Sequence, residues 1–284
     1  GEVTGQALVT HPGTHVVAFT GSAATGRKIA LSCAGQYKKF TLEMGGKDPF
    51  VVCEDSDIEV AAKAVAWAAF LNAGQVCTST ERIYVQRTVA DRFLEALVNF
   101  TGTLRIGPGI EASTDIGPLA RDHYRRKVEE HVEEAVKMGA VALSGGRRPG
   151  GFHKGFYYEP TVLVNVNHSM KVMRDETFGP VAPVMLYDDF DEAIRYAQDT
   201  PFGLGAVLFT RDALKAKTFF EEVKAGTIWI NDPLTDNDAG PFGGMKMSGR
   251  GRELGQEGLE EFLETKHVHW DFVQQEKPWW YPYH

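Results

Sequence analysis

Short apolar runs rich in β-branched and aromatic residues alternate with helix-length amphipathic stretches along this chain. Val16–Thr20, Phe40–Met44 and Pro49–Cys53 read as strands, the first and last of them buried. Arg82–Gln86, Tyr158–Val166, Val181–Tyr187, Ala206–Thr210 and Thr227–Asn231 continue the series. The intervening segments carry helical periodicity. Ser56-Asp57-Ile58-Glu59 has the spacing of a capping box, and the helix it opens bears an apolar stripe of Ile58, Ala61, Ala62, Val65 and Ala69. Val89–Phe100 turns Phe93, Leu94 and Leu97 inward. Ala120–Met138 is a charged helix stopped by Gly139, and further helices begin near Asp191, Ala213 and Arg252. Strands separated by helices pair in parallel, because the crossover needs the length of a helix, so a layered α/β sheet is expected. Ser144–Gly155 and Pro233–Gly244 read as surface loops, and Lys266–Phe272 as a final strand with Val268, Trp270 and Phe272 on one face.

The charge balance narrows the function. Among 284 residues, 30 are basic and 38 acidic, a net charge of −8, which argues against a phosphate-backbone partner. No apolar run approaches bilayer length and no signal peptide is evident, so no membrane partner is expected. The three cysteines, Cys33, Cys53 and Cys77, have no paired spacing, which fits a reducing cytoplasm better than a disulfide scaffold. No Cys/His cluster has metal-ligand spacing, so no metal is expected. The chain opens without methionine on Gly1-Glu2-Val3, in what reads as the middle of an α/β unit, so a fragment of a longer protein is expected.

Three stretches carry candidate chemistry. Phe70-Leu71-Asn72-Ala73-Gly74-Gln75-Val76-Cys77 ends a helix on a thiol set among small and hydroxyl neighbours, where a nucleophile would sit; a small buried hydrophobe reads the same way. Glu43 lies between Leu42 and Met44, placed for the desolvation that turns a carboxylate into a base, although a strand-end acid has the same sequence. Phe19-Thr20-Gly21-Ser22 followed by Gly26 is a strand, a turn and a helix start. Such a junction offers N–H groups and a dipole end to a phosphate, or is only a tight turn.

With Glu176-Thr177-Phe178-Gly179-Pro180, Gly226-Thr227-Ile228-Trp229-Ile230-Asn231 and Pro241-Phe242-Gly243-Gly244-Met245-Lys246-Met247-Ser248-Gly249 added, the chain resembles the C-terminal half to two-thirds of the NAD(P)-dependent aldehyde dehydrogenases, motif by motif and in the same order. The resemblance implies an aldehyde dehydrogenase-like three-layer α/β/α catalytic domain at 47–247. It is preceded by the end of a Rossmann-like cofactor domain at 1–46 and followed by a return helix, oligomerisation strand and aromatic tail at 248–284. It implies Cys77 as nucleophile and Glu43 as general base. Thr20, Gly21, Ser22, Gly26 and Met44 would border the cofactor, Glu176 would hold the nicotinamide ribose, and Phe178 would pack near the nicotinamide. Val76, Thr78 and Phe242 would line the aldehyde pocket, and Asn231 would steady the site.

The implied reaction oxidises an aldehyde to its acid with NAD or NADP, NAD being favoured, through a cysteine thiohemiacetal and a thioester. Relatives that pass the acyl group to coenzyme A typically lack the glutamate, so hydrolysis is the better reading. The family's oxyanion asparagine and most of its dinucleotide domain would lie upstream, and this chain alone would be inactive. The alternative is a non-catalytic relative of the kind found among lens crystallins, which would have no need of Cys77, Glu43 and Glu176 together. Asp232, Asp236 and Asp238 near the implied tunnel mouth would suit a cationic aldehyde, or mark only a polar loop. A homodimer or homotetramer is expected, with Trp279, Trp280, Tyr281 and Tyr283 docked on a neighbour.

Overall fold

The computed structural model describes residues 2–283. In chain order the strands are β1 (Val16–Gly21), β2 (Lys39–Met44), β3 (Asp48–Val52), β4 (Thr80–Gln86), β5 (Val141–Ser144), β6 (Thr161–Val164), β7 (Val181–Tyr187), β8 (Gly205–Phe209), β9 (Thr227–Ile230) and β10 (Gly249–Arg250). The helices are α1 (Glu2–Thr10), α2 (Ala23–Ala34), α3 (Ile58–Phe70), α4 (Ala90–Thr101), α5 (Asp122–Lys137), α6 (Lys171–Arg174), α7 (Phe190–Gln198), α8 (Ala213–Glu222) and α9 (Gly255–Glu260).

Seven strands form one sheet in the order β5-β6-β7-β4-β3-β8-β9, parallel except where β5 meets β6. Its centre is apolar on both faces, as a helix-covered parallel sheet requires: Phe50, Val51, Val52, Ile83, Tyr84, Val85 and Leu208 are all fully buried. A second sheet has the order β1-β2-β10, in which β1 and β2 run parallel and β10 returns antiparallel to β2. The link from β2 to β3 is only Gly45-Gly46-Lys47, so the two sheets meet over a few residues.

Several boundaries differ from the sequence reading. The first turn of α3 is capped by Asp57, whose Oδ1 accepts the Val60 N–H at 3.3 Å. The Ser56 hydroxyl instead donates to the Phe209 carbonyl at 2.7 Å, tying the loop to β8. The helix expected over Arg252–Leu263 is confined to Gly255–Glu260. The strand expected over Lys266–Phe272 does not form: the segment belongs to neither sheet, and Val268, Trp270 and Phe272 are 70, 72 and 81% exposed. A strand needs a neighbour for its N–H and C=O groups, and among the described residues this segment pairs with no strand of either sheet. Helix α1 and strands β5 and β10 were not legible in the sequence; β10 spans two residues, too few for any periodicity.

Candidate active site

The Gly45-Gly46-Lys47 link is the hub of the site, because a side chain on either glycine would collide with what packs against it. At Gly45 the obstruction is the Glu176 carboxylate; at Gly46 it is the Asp48 side chain and, at 3.1 Å, the Cys77 carbonyl. Two distant segments, those of Glu176 and Cys77, thus converge on two consecutive backbone positions, and Glu43 lies one residue before the end of the strand that leads into them.

Glu43 sits in the middle strand of the small sheet, paired with Thr20 of β1 and Gly249 of β10. It is buried, and neither carboxylate oxygen has a hydrogen-bond partner among the described residues. Burial is the main reason its pKa is pushed from 4.5 to about 8. The Glu253 charge adds to the rise, and Arg252 and the nearby Gly244 N–H oppose it. Gly243 packs so closely that a Cβ there would lie 2.6 Å from Glu43 Oε1.

Cys77 is delivered by an unusual turn. After α3, Asn72 and Ala73 take left-handed backbone angles (φ 51° and 57°), followed by Gly74 at φ 72°. Asn72 and Gln75 stabilise the turn reciprocally, each side-chain amide donating to the other's backbone carbonyl at 3.1 and 2.9 Å. Gln75 Oε1 also accepts the Ala120 N–H at 2.8 Å. Gly74 lies directly on the backbone of Gly179 and Pro180. Ser79 fixes the far side, its buried hydroxyl donating to the Ala68 carbonyl at 3.2 Å. The Cys77 thiol is half-buried and its pKa is raised to about 11, first by burial, then by the Asp48 charge and less by Glu43. The N–H groups of Thr78 and of Cys77 itself act in the opposite direction and favour negative charge at this point.

Glu176 is half-buried, its pKa raised to about 7 chiefly by burial, with the Glu81 charge adding to it. Two residues on, Phe178 adopts φ 55° and packs near Tyr124, with ring centroids 5.9 Å apart. On the small sheet, Ser22 caps α2 by accepting the Thr25 N–H at 3.3 Å, and Gly26 faces Met44 so closely that a Cβ would strike its sulfur. Phe242 exchanges two backbone hydrogen bonds of 2.7 Å with Glu253, which brings it to the flank of Glu43. Val76 is half-buried and Thr78 is buried beside the thiol.

Asn231, at φ 61°, holds the ends of β8 and β9 together, accepting the Thr210 N–H at 3.0 Å and donating to its carbonyl at 2.9 Å. Asp232, Asp236 and Asp238 are exposed. The sequence reading missed Asp48, Glu81, Arg252 and Glu253, all of which act electrostatically on Cys77, Glu43 or Glu176. No His/Cys/Asp/Glu cluster fit for a metal occurs among the described residues, and no helix of the structure is long and apolar enough to cross a membrane.

Residues 1–268 match the model of the aldehyde dehydrogenase family. A probable succinate-semialdehyde dehydrogenase [NADP(+)] of Sinorhizobium fredii is 39% identical over 94% of this chain and 54% of its own length. The betaine aldehyde dehydrogenase of Bacillus subtilis is 40% identical over 95% of this chain and 55% of its own length. Among solved structures, betaine aldehyde dehydrogenase from Staphylococcus aureus in complex with NAD+ superposes with a TM-score of 0.92 at 36% identity, covering 97% of this chain and 55% of that one. The chain therefore spans about half the length of the curated relatives it matches. It belongs to the aldehyde dehydrogenase family.

Proposed function

We propose that the complete protein carrying this chain oxidises an aldehyde to its carboxylic acid with NAD(P), by way of a thioester at Cys77 that is hydrolysed by water deprotonated by Glu43. The observation that carries this is the pairing of a carboxylate held off its ordinary charge with a thiol close enough to feel it. A buried carboxylate without partners, raised to about 8, acts on a half-buried thiol raised to about 11. A structural relative would have no use for either, since an unpartnered buried carboxylate costs stability.

The fit to a dinucleotide rests on the shape of the surrounding backbone. The absence of a side chain on Gly45 leaves room for the Glu176 carboxylate, and α2 presents an N-terminus capped by Ser22 just after β1. Glu176 would hold a ribose hydroxyl, Phe178 would flank the nicotinamide, and Thr20, Gly21, Ser22, Gly26 and Met44 would border the rest. When bound, the cofactor supplies the acceptor for hydride from the tetrahedral adduct.

The chain's own groups supply the remainder. The Cys77 thiol gives its proton to solvent as sulfur adds to the aldehyde carbon, and the backbone N–H groups of Cys77 and Thr78 face the developing negative charge. After oxidation, Glu43 takes a proton from water, the hydroxide adds to the thioester carbonyl, and collapse of the adduct returns the thiolate and frees the acid. Val76, Thr78 and Phe242 form the aldehyde-side wall of this reading.

The division 1–46, 47–247 and 248–284 stays with this proposal, as do NAD as preferred cofactor, a cytoplasmic setting and a homodimer or homotetramer. The exposed Asp232, Asp236 and Asp238 favour a cationic aldehyde over a carboxylated one, since like charge at the entrance repels. The test is the complete protein assayed on betaine aldehyde and succinate semialdehyde with NAD and with NADP. Reduced nicotinamide should form, faster with the cationic substrate, and acid should accumulate in equal amount. Failure to oxidise any aldehyde on a broad panel would sink the reading.

A further inference from the structure

We propose that Glu81 is the positioning residue for the cofactor-facing loop Glu176–Phe178, a role that rests on the function proposed above. Glu81 lies in β4, far from the thiol's partners in sequence, and is 3% exposed. Its carboxylate takes three donors: Lys47 Nζ at 2.5 Å and the Thr177 N–H at 2.6 Å on one oxygen, and the Phe178 N–H at 2.8 Å on the other. Both oxygens are thus satisfied by consecutive amides of the loop and by the last residue of the hub.

The network closes beyond the carboxylate. Lys47, also buried, donates to Thr177 Oγ1 at 3.2 Å, and that hydroxyl lies 3.1 Å from His131 Nδ1 on α5. The Thr177 hydroxyl has two lone pairs and one proton, so it accepts from Lys47 and pairs with His131 in either tautomer. Burial first, then the Lys47 charge, holds His131 down to about 4, so the imidazole is neutral near pH 7.

Two features make positioning the purpose. Phe178 holds a left-handed φ of 55°, which a bulky side chain keeps only where its surroundings over-determine it; successive N–H groups gripped by one carboxylate do so. A buried Lys–Glu pair also adds little stability over an apolar pair of equal volume, so direction is what it contributes. Glu176 precedes the gripped amides by one residue and rests on Gly45, while Lys47 follows Gly45 by two. The same clasp therefore fixes both the loop bearing Glu176 and the backbone against which it packs.

The experiment compares two reactions in the complete protein with Glu81→Gln and with Glu81→Gln/Lys47→Met, the second leaving no unpaired charge should the first fail to fold. Aldehyde oxidation needs the loop. Hydrolysis of p-nitrophenyl acetate without cofactor needs only acylation and deacylation at Cys77. The cofactor's dissociation constant, read by quenching of protein fluorescence, should weaken about tenfold or more, with the first-turnover rate falling similarly and a 1-deuterated aldehyde then showing an isotope effect. Ester hydrolysis should lose at least tenfold less. Parallel loss in both reactions, or unchanged cofactor binding, overturns the assignment. Ester hydrolysis that survives Cys77→Ala would instead condemn the parent reading, while the binding titration still decides the role of Glu81.

Discussion

At the scale of single residues, the proposed chemistry rests on a carboxyl whose ordinary charge the fold suppresses and on a thiol that burial keeps neutral. Cys77→Ala should abolish aldehyde oxidation in the complete protein, whereas Cys33→Ala and Cys53→Ala should keep most of it, because those thiols are buried and Cys53 only accepts a 3.4 Å contact from the Tyr187 hydroxyl. Full turnover by Cys77→Ala would refute the mechanism. Glu43→Gln should give a burst of reduced nicotinamide followed by a slow steady state, since the carboxylate works on water after hydride has left. A mutant without a burst and with an unchanged steady rate would count against the base. Acyl release should climb with pH through about 8 and level off above, as Glu43 loses its proton.

Stability runs the other way for this carboxyl. Between 4.5 and about 8 the unfolded chain has lost the proton that the folded chain retains, so the contribution of Glu43 to stability falls as pH rises through that window. Cys77 and Glu43 were legible as candidates through the resemblance, since their immediate neighbours alone left a structural reading open. Asp48, Glu81, Arg252 and Glu253 were not, since their roles come from packing across the chain; Glu81 grips an amide 96 residues away.

At the scale of elements, local chemistry decides where α3 begins and how it ends. Asp57→Ala should lower stability by about 1 kcal/mol in denaturant unfolding, the usual cost of a lost N-cap. Ser56→Ala should act through its tie to Phe209 and leave the cap intact. At the other end, Gly74→Ala places a Cβ at φ 72° onto the Gly179 carbonyl, so both strain and collision oppose it. It should lose more stability than Asp57→Ala, by ~1–2 kcal/mol from conformation alone, and it should also slow alkylation of Cys77 by iodoacetamide if the turn is displaced. Unaltered melting and unaltered alkylation would mean that the turn adapts freely. Strands β3, β4, β7 and β8 of the large sheet were readable within two residues because both their faces are buried, whereas β6 was read three residues early and the mostly exposed β5 not at all. Lys266–Phe272 shows the converse: its alternation was visible, but pairing is a property of two strands, and no strand among the described residues pairs with it.

At the scale of the whole molecule, that unpaired segment states what is still to be covered. Beyond Val268, Trp270 and Phe272, the chain exposes Trp279 by 68%, Trp280 by 55%, Tyr281 by 84% and Tyr283 by 76%. Trp270 and Phe272 stack with centroids 4.9 Å apart, and Lys277 reaches back to pair with Asp271. The segment is organised, though its apolar face points into water. Each such aromatic contributes ~1.5–3 kcal/mol once docked, which offsets much of the entropy lost in seating a short segment already stiffened by Pro278 and Pro282. A partner with a free strand edge would satisfy the backbone of Lys266–Phe272 at the same time, and a second copy of this chain carries the same unpaired segment. The complete protein is therefore expected to be a dimer or tetramer with this segment ordered against a neighbour. Deleting Lys277–His284 should lower the melting temperature, shift the mass measured by sizing with light scattering, or do both. A deletion variant with the parent's mass and melting curve would show that the aromatic tail takes no part in assembly.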